Sequence, residues 1–169
     1  MFELISKQYN NNIIKVEKIC NIINNIYVGN NLSRDYINIF NIEKVFEIGT
    51  KDEIKEYKRL SKKIEITSLI INEKETVSLI KYFDKIWDFF EYNYNKNILI
   101  HCKNGYISIL FLISYLIAYK YYTYDAAFEL INTKMNNILK KENFNQSYIN
   151  ELIELDKSLH NFKYLINIK

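Results

Sequence analysis

His101, Cys102 and Gly105 are the residues of this chain whose types and spacing point to chemistry. A cysteine thiolate is a nucleophile, and nearby positive charge stabilises it. Residues 98–100 are a short aliphatic run typical of a buried strand, and an apolar run of helical length begins at about Tyr106. A strand, a tight loop with a glycine and a helix together form a cup of backbone N–H groups that binds an anion. The sequence therefore predicts that Cys102 lies at the mouth of an anion-binding loop.

The sequence HCKNG at residues 101–105 resembles the active-site loop of the cysteine-dependent protein phosphatases, whose signature is HCxxGxxR followed by Ser or Thr. The resemblance implies that Cys102 stands at the position of the nucleophile that attacks phosphorus. The chain departs from the signature at two places, because Ser108 occupies the arginine position and Ile109 the hydroxyl position. The phosphate loop that the resemblance implies consists of His101, Lys103, Asn104, Gly105, Tyr106, Ile107 and Ser108.

The resemblance also implies a general acid, which in this family is an aspartate on a loop before the cysteine. The matching position falls on Asn72, and no aspartate is close to it. A carboxamide cannot protonate a leaving group. Glu73 is a carboxylic acid one residue further along, and its use as a substitute acid stays open as an alternative.

Other segments, spread over residues 19–159, resemble the dual-specificity phosphatases within this class. NIYVGN at residues 25–30 is similar to their first strand, VFEI at 45–48 to a core strand, and NQSY at 145–148 to the start of their last helix. The pattern is most similar to the compact poxviral members. It implies an α/β domain with a central mixed sheet flanked by helices, and an extra N-terminal helix.

Three segments are therefore expected along the chain. Residues 1–18 form the N-terminal helix, residues 19–160 the phosphatase-like domain, and residues 161–169 a C-terminal tail. Apolar residues recur at helical spacing in the first segment, which suggests a dimer arm; a helix packed on its own domain or a frayed tail is the alternative. The apolar residues concerned are Phe2, Leu4, Ile5, Tyr9 and Ile13.

Hydrophobic periodicity and turn residues place the remaining elements. The predicted strands are a pair within residues 20–28, turning at Asn24 and Asn25, and single strands at 43–48 and 64–71. The predicted helices cover residues 33–39, 51–61, 76–90, 126–139 and 147–159. Ser33 is the expected cap of the first, Thr123 or Tyr124–Asp125 the expected cap of the helix at 126–139, and Ser147 the start of the last. Leu79, Ile80, Phe83, Ile86, Trp87 and Phe90 are expected to form the core face of the helix that begins at Thr76.

Composition narrows the class of protein and of partner. The chain has 169 residues, 49% of them hydrophobic and 25% charged, as in a single globular domain. A net charge of +3 gives no case for nucleic acid as a partner.

Two cysteines form no disulfide framework, which favours a reducing compartment. No secretion signal is visible, and residues 106–119 fall short of the roughly 20 residues that span a bilayer. We expect a cytoplasmic protein with neither a membrane nor nucleic acid as partner.

The other candidate sites are weak. His101 and His160 show no ligand spacing, so neither a metal nor a cofactor is expected, and His160 is interpreted as an exposed bystander. Lys58, Arg59, Lys62 and Lys63 form a basic cluster. A solvated face is the plain interpretation of that cluster, and an anion-binding role is the alternative.

The missing arginine decides the expected function. A guanidinium forms two parallel charge-assisted bonds to a phosphoryl group, each worth about 1.5–3 kcal/mol. Losing both of these bonds lowers the rate by roughly 10²- to 10⁴-fold. Losing the general acid lowers it by about 10²- to 10⁴-fold for substrates with poor leaving groups. We therefore expect a pseudophosphatase, a binding or scaffold protein for a protein or phosphoprotein partner, whose loop binds phosphate or sulfate weakly.

Two alternatives stay open. In the first, the chain is a weakly active protein tyrosine/serine/threonine phosphatase that works through a Cys102 phosphocysteine, with Glu73 and another cation supporting the chemistry. In the second, it is a structural homodimeric viral module that uses residues 1–18 as its dimer face. The poxviral resemblance implies a place in the host cytoplasm or in the virion.

Overall fold

The computed structural model describes residues 18–57, 64–71 and 78–166. Its strands, each of which contains aliphatic residues, alternate with helices after an initial hairpin. The strands are β1 (Ile19–Ile23), β2 (Ile26–Gly29), β3 (Lys44–Gly49), β4 (Glu65–Ile70) and β5 (Ile98–Cys102). The α-helices are α1 (Lys51–Tyr57), α2 (Phe83–Tyr92), α3 (Tyr106–Lys120), α4 (Tyr124–Lys134) and α5 (Gln146–Ile166). Short 3-10 helices cover Asn31–Tyr36, Ile80–Tyr82 and Lys141–Asn143.

The five strands form one sheet in the order β1-β2-β5-β3-β4. The hairpin strands β1 and β2 pair antiparallel, and every other pair is parallel. The predicted α/β fold with a central mixed sheet flanked by helices is therefore confirmed. Because β5 lies between β2 and β3, the end of β5 is beside the ends of both neighbours, with Gly29 opposite His101 and Ile48 opposite Cys102.

Helix α3 is the centre of the main core. Eleven of its fifteen residues are buried, and they lie on all sides of the helix. It contacts α2, α4, α5 and β5, which explains why residues 106–119 carry an apolar run without a polar face. All five residues of β5 are buried as well. The loop between β5 and α3 is thus held between two largely buried elements.

Several local predictions are confirmed. Residues 20–28 form the expected hairpin, and Asn24 has the left-handed backbone (φ 45°) that its turn requires. Thr123 caps α4, since its side chain accepts the Ala126 N–H at 3.2 Å. Phe83 and Phe90 of α2 are buried as expected.

Other local predictions are wrong. The first 3-10 helix is capped by Asn30, whose Oδ1 accepts the Leu32 N–H at 2.8 Å, whereas Ser33 is buried and donates to the Asn30 carbonyl. Ile80 was expected in the core and is 53% exposed, because the chain at this point is a 3-10 turn in which the helical register does not hold.

Helix ends also differ from expectation. Helix α4 ends at Lys134 rather than at residue 139, because Asn136 (φ 57°) and Asn137 (φ 59°) adopt the left-handed conformation. Helix α5 begins at Gln146, one residue before Ser147, and continues through Ile166 rather than ending at residue 159.

Some predictions fall outside the described residues. These are the N-terminal helix, the general-acid positions Asn72 and Glu73, the helix start at Thr76, and the basic cluster at residues 58–63. Within the described ranges, no helix combines the length and the apolar character needed to cross a membrane.

Candidate active site at the phosphate loop

The loop that joins β5 to α3 consists of Lys103, Asn104 and Gly105. Gly105 has φ 88° and ψ −15°, a left-handed conformation that a residue with a side chain adopts only under strain. This turn directs the first backbone N–H groups of α3 back toward the end of β5. The strand, loop and helix predicted from the sequence are therefore present with the glycine where the turn needs it.

Cys102 lies in a cup of backbone N–H groups. The Gly105 N–H donates to Cys102 Sγ at 3.2 Å, and the N–H groups of Ile107 and Ser108 are also directed at the sulfur. Cys102 is only 4% exposed, and this burial raises the pKa of its thiol, whereas Ser108 and the loop N–H groups lower it. The effect of burial is the larger one, so the thiol form is favoured.

Asn104 occupies part of the same cup. Its Oδ1 accepts the Tyr106 N–H at 3.1 Å and lies 3.8 Å from Cys102 Sγ, where it can accept the thiol proton. Only the protonated sulfur can donate in this way, so the contact also favours the thiol. One of the N–H groups that would otherwise face an anion is therefore already bonded to a side chain of the loop.

Ser108, at the arginine position, is completely buried. Its hydroxyl interacts with the Cys102 sulfur and thereby lowers the pKa of the thiol. Within the described ranges, no hydrogen bond of ordinary length and angle reaches the Ser108 Oγ. Ile109, at the hydroxyl position, is also completely buried and belongs to the main core, so it supplies no donor to the sulfur.

Lys103 lies at the rim of the loop. Its side chain is 65% exposed, and its Nζ is 3.1 Å from Glu53 Oε1. Glu53 also accepts the Thr50 N–H at 2.9 Å, which fixes it at the start of α1. The Lys103 charge is therefore balanced by a carboxylate that the fold holds in place.

A buried ion pair lies behind the loop. Arg34, from the first 3-10 helix, pairs through Nη2 with the Glu47 carboxylate of β3, and its Nε–H donates to His101 Nε2 at 3.3 Å. Ser68 Oγ donates to Glu47 Oε1 at 2.7 Å. The side chains of Arg34 and Glu47 are 8% and 0% exposed. Sequence reasoning did not single out this pair, although a glutamate in the apolar strand VFEIG is a signal of a buried charge that needs a partner.

His101 is buried and neutral. Its burial, together with the Arg34 charge, lowers its pKa from 6.5 to about 3. The folded state therefore binds its proton at lower pH than the unfolded state does. Stability contributed by the neutral ring is complete above pH 6.5 and is lost as the pH falls from 6.5 toward 3.

We therefore expect the free energy of unfolding to fall by up to about 1.4 kcal/mol per pH unit in that window because of His101 alone. Urea titrations between pH 7.5 and 4 measure this slope. Carboxylates also titrate in the window, so the matched control is His101→Gln, which removes only the histidine contribution. Equal slopes in the native chain and the variant contradict the prediction.

His160 is not the exposed bystander that the sequence suggested. It is half-buried on α5, and its Nδ1 lies 2.6 Å from Asp156 Oδ1 and 3.0 Å from the Asp156 carbonyl. The Asp156 carboxylate also accepts the Tyr124 N–H at the start of α4 at 2.9 Å. His160 thus belongs to a local contact between α4 and α5. In the part of the chain that the structure describes, no group of three or more His, Cys, Asp or Glu residues could hold a metal ion.

Solved structures share this fold. A leucine rich repeat and phosphatase domain containing protein from Entamoeba histolytica is 20% identical with a TM-score of 0.67, covering 86% of this chain and 94% of that one. The human tyrosine phosphatase-like serine/threonine/tyrosine-interacting protein is 17% identical with a TM-score of 0.67, covering 87% and 97%. Human DUSP28 is 9% identical with a TM-score of 0.67, covering 85% and 95%.

At the level of sequence, no curated protein shows significant similarity to the chain. The family described as "Dual specificity phosphatase, catalytic domain" matches residues 26–168, which include every element from β2 through α5. The HCxxG loop, its left-handed glycine and the Cys102 cup lie within that match. The chain belongs to the dual-specificity phosphatase family.

Proposed function

We propose that this chain is a pseudophosphatase, a dual-specificity phosphatase domain that serves as a binding or scaffold protein. One observation carries the proposal: the buried Ser108 stands at the arginine position of a loop whose cysteine, glycine and backbone cup are retained. A serine hydroxyl supplies one short neutral hydrogen bond where the family has a two-armed cation. The loop therefore keeps a shape for an anion and lacks the side chain that stabilises the transferring phosphoryl group.

The basic side chains near the loop support the same proposal. Arg34 and Lys103 are each paired with a carboxylate, Glu47 and Glu53 respectively. Releasing either cation toward a phosphoryl group would remove the positive charge that balances a carboxylate, and for Glu47 that carboxylate is fully buried. Neither cation is placed to act as a ready substitute for the missing arginine.

Weak anion binding is the expected property of the loop. Phosphate or sulfate at about tenfold above its dissociation constant is expected to stabilise the fold by about 1.4 kcal/mol, or to raise the Tm by about 3–6 °C for a chain of this size. Thermal unfolding with increasing phosphate measures the shift, and sodium chloride at equal ionic strength is the control. Equal shifts with chloride and phosphate contradict binding at the loop.

A protein or phosphoprotein partner is part of the proposal. Because the function is binding, the partner should be retained by Cys102→Ser, which removes the nucleophile and keeps the volume of the side chain. If Cys102→Ser no longer binds the partner, binding requires the nucleophile and the proposed binding role is contradicted.

A weakly active phosphatase is the second candidate, and the retained cup around Cys102 favours it. In that case Cys102 forms a phosphocysteine, and Glu73 acts as the acid in place of Asn72. Turnover of an aryl phosphate by the native chain, abolished by Cys102→Ser, supports this candidate and overturns the pseudophosphatase.

The poxviral resemblance extends the proposal to the assembly and its location. We infer that residues 1–18 form a dimer arm and that the protein works as a homodimer in a host cytoplasm or a virion. In the structural alternative, the protein is a homodimeric viral module and the phosphate loop has no role. Light scattering of the full chain in solution tests the dimer, and a monomer overturns it.

A further inference from the structure

We propose that Arg34 and Glu47 are a positioning pair that holds the back of the phosphate loop by fixing the His101 ring with its proton on Nδ1. This inference concerns the loop itself and does not depend on whether Cys102 turns over a substrate. The pair stands apart from the HCxxG motif, because Arg34 belongs to a 3-10 helix and Glu47 to a neighbouring strand.

The donor and acceptor chemistry determines the tautomer. A guanidinium has N–H donors and no acceptor, so the Arg34 Nε–H can bond to His101 Nε2 only if that nitrogen offers its lone pair. A neutral imidazole with an unprotonated Nε2 carries its proton on Nδ1. Among the described residues, the Arg34 guanidinium contacts this ring, and Glu47 is opposite His101 in the parallel pairing of β3 with β5.

Glu47 in turn fixes the guanidinium. One of its oxygens pairs with Arg34 Nη2 and the other accepts the Ser68 hydroxyl at 2.7 Å. Ser68 is itself anchored, since its carbonyl accepts from Lys85 Nζ at 3.0 Å. Contacts from β3 and β4 therefore fix the orientation of Arg34. Arg34 in turn fixes the ring of His101, the residue directly before Cys102.

The same 3-10 helix holds the other side of the loop. The Asn31 N–H donates to the Lys103 carbonyl at 3.3 Å, so residues 31 and 34 bond to the residues on both sides of Cys102. A buried ion pair adds little net stability compared with apolar residues of equal size. Because Arg34 donates one hydrogen bond to His101, the residue before Cys102, the pair points to a positioning role for the loop.

The test is the tautomer of His101, measured by nitrogen NMR of the full chain at neutral pH. We expect the native chain to show His101 protonated on Nδ1 alone. Arg34→Lys keeps the charge, but one ammonium cannot reproduce the planar fork that reaches both Glu47 and His101. We therefore expect Arg34→Lys to show a mixture of tautomers, and phosphate binding weaker by about threefold to tenfold.

Lys44→Met is the matched control, because Lys44 forms an ion pair with the exposed Glu65 and is opposite Ile98 rather than His101 in the pairing of β3 with β5. It should leave both readouts unchanged. A native His101 protonated on Nε2 overturns the inference, as does an Arg34→Lys variant with the native tautomer. The tautomer readout stands even if the native chain does not bind phosphate, so failure of the proposed function and failure of this inference are distinguished.

Discussion

The double variant Ser108→Arg with Asn72→Asp is expected to hydrolyse aryl phosphates, whereas the native chain is expected to be silent. The cup, the glycine turn and Cys102 are already in place, so the variant supplies the missing cation and the missing general acid. The guanidinium adds two charge-assisted bonds to a phosphoryl group, and the carboxyl group adds a proton donor for the leaving group. Each addition is worth roughly 10²- to 10⁴-fold in rate, without simple additivity.

Steady-state hydrolysis of an aryl phosphate measures this gain, with the two single variants beside the double one. Adding Cys102→Ser to the double variant should abolish turnover, since the reaction passes through the thiolate. The Tm of each protein shows whether the buried position 108 accepts the larger side chain. A folded double variant that binds phosphate and remains silent contradicts the prediction, as does Cys102-dependent turnover by the native chain.

The strand, loop and helix around Cys102 could be predicted because their signals are local. The aliphatic run before Cys102, the glycine at residue 105 and the apolar run of α3 lie within about two dozen consecutive residues. The order of the remaining strands and helices then agreed with one known family. A buried strand and a buried helix on either side of a tight turn leave few arrangements for the chain between them.

The contacts behind and within the loop could not be predicted in this way. Arg34 meets His101 across 67 residues and Glu47 across 13, and a polar residue carries no periodic signal that reports its partner. The Asn104 side chain accepts a hydrogen bond from a loop N–H. That bond depends on the side-chain rotamer, which the spacing of residues in the sequence does not reveal. The premature end of α4 has the same origin, because two consecutive asparagines accept a left-handed backbone that apolar spacing does not reveal.

Breaking one half of the buried pair is expected to be far more damaging than removing both halves. Glu47→Leu leaves a guanidinium that stays charged in the interior, and Arg34→Met leaves a buried carboxylate. Each single variant should lose about 3–5 kcal/mol of stability, or about 6–20 °C in Tm. The double variant Arg34→Met with Glu47→Leu replaces both charges by apolar side chains and should recover most of that loss.

The two single variants should also differ from each other. A buried carboxylate can take up a proton, so acidification should reduce the loss of stability in Arg34→Met. A guanidinium stays charged at these pH values, so the loss in Glu47→Leu should not be reduced in this way. Urea unfolding of the four proteins at neutral pH and near pH 5 measures both effects. Additive losses in the double variant contradict the prediction. Recovered stability together with a mixed His101 tautomer would show that the pair serves the geometry of the loop rather than the stability of the fold.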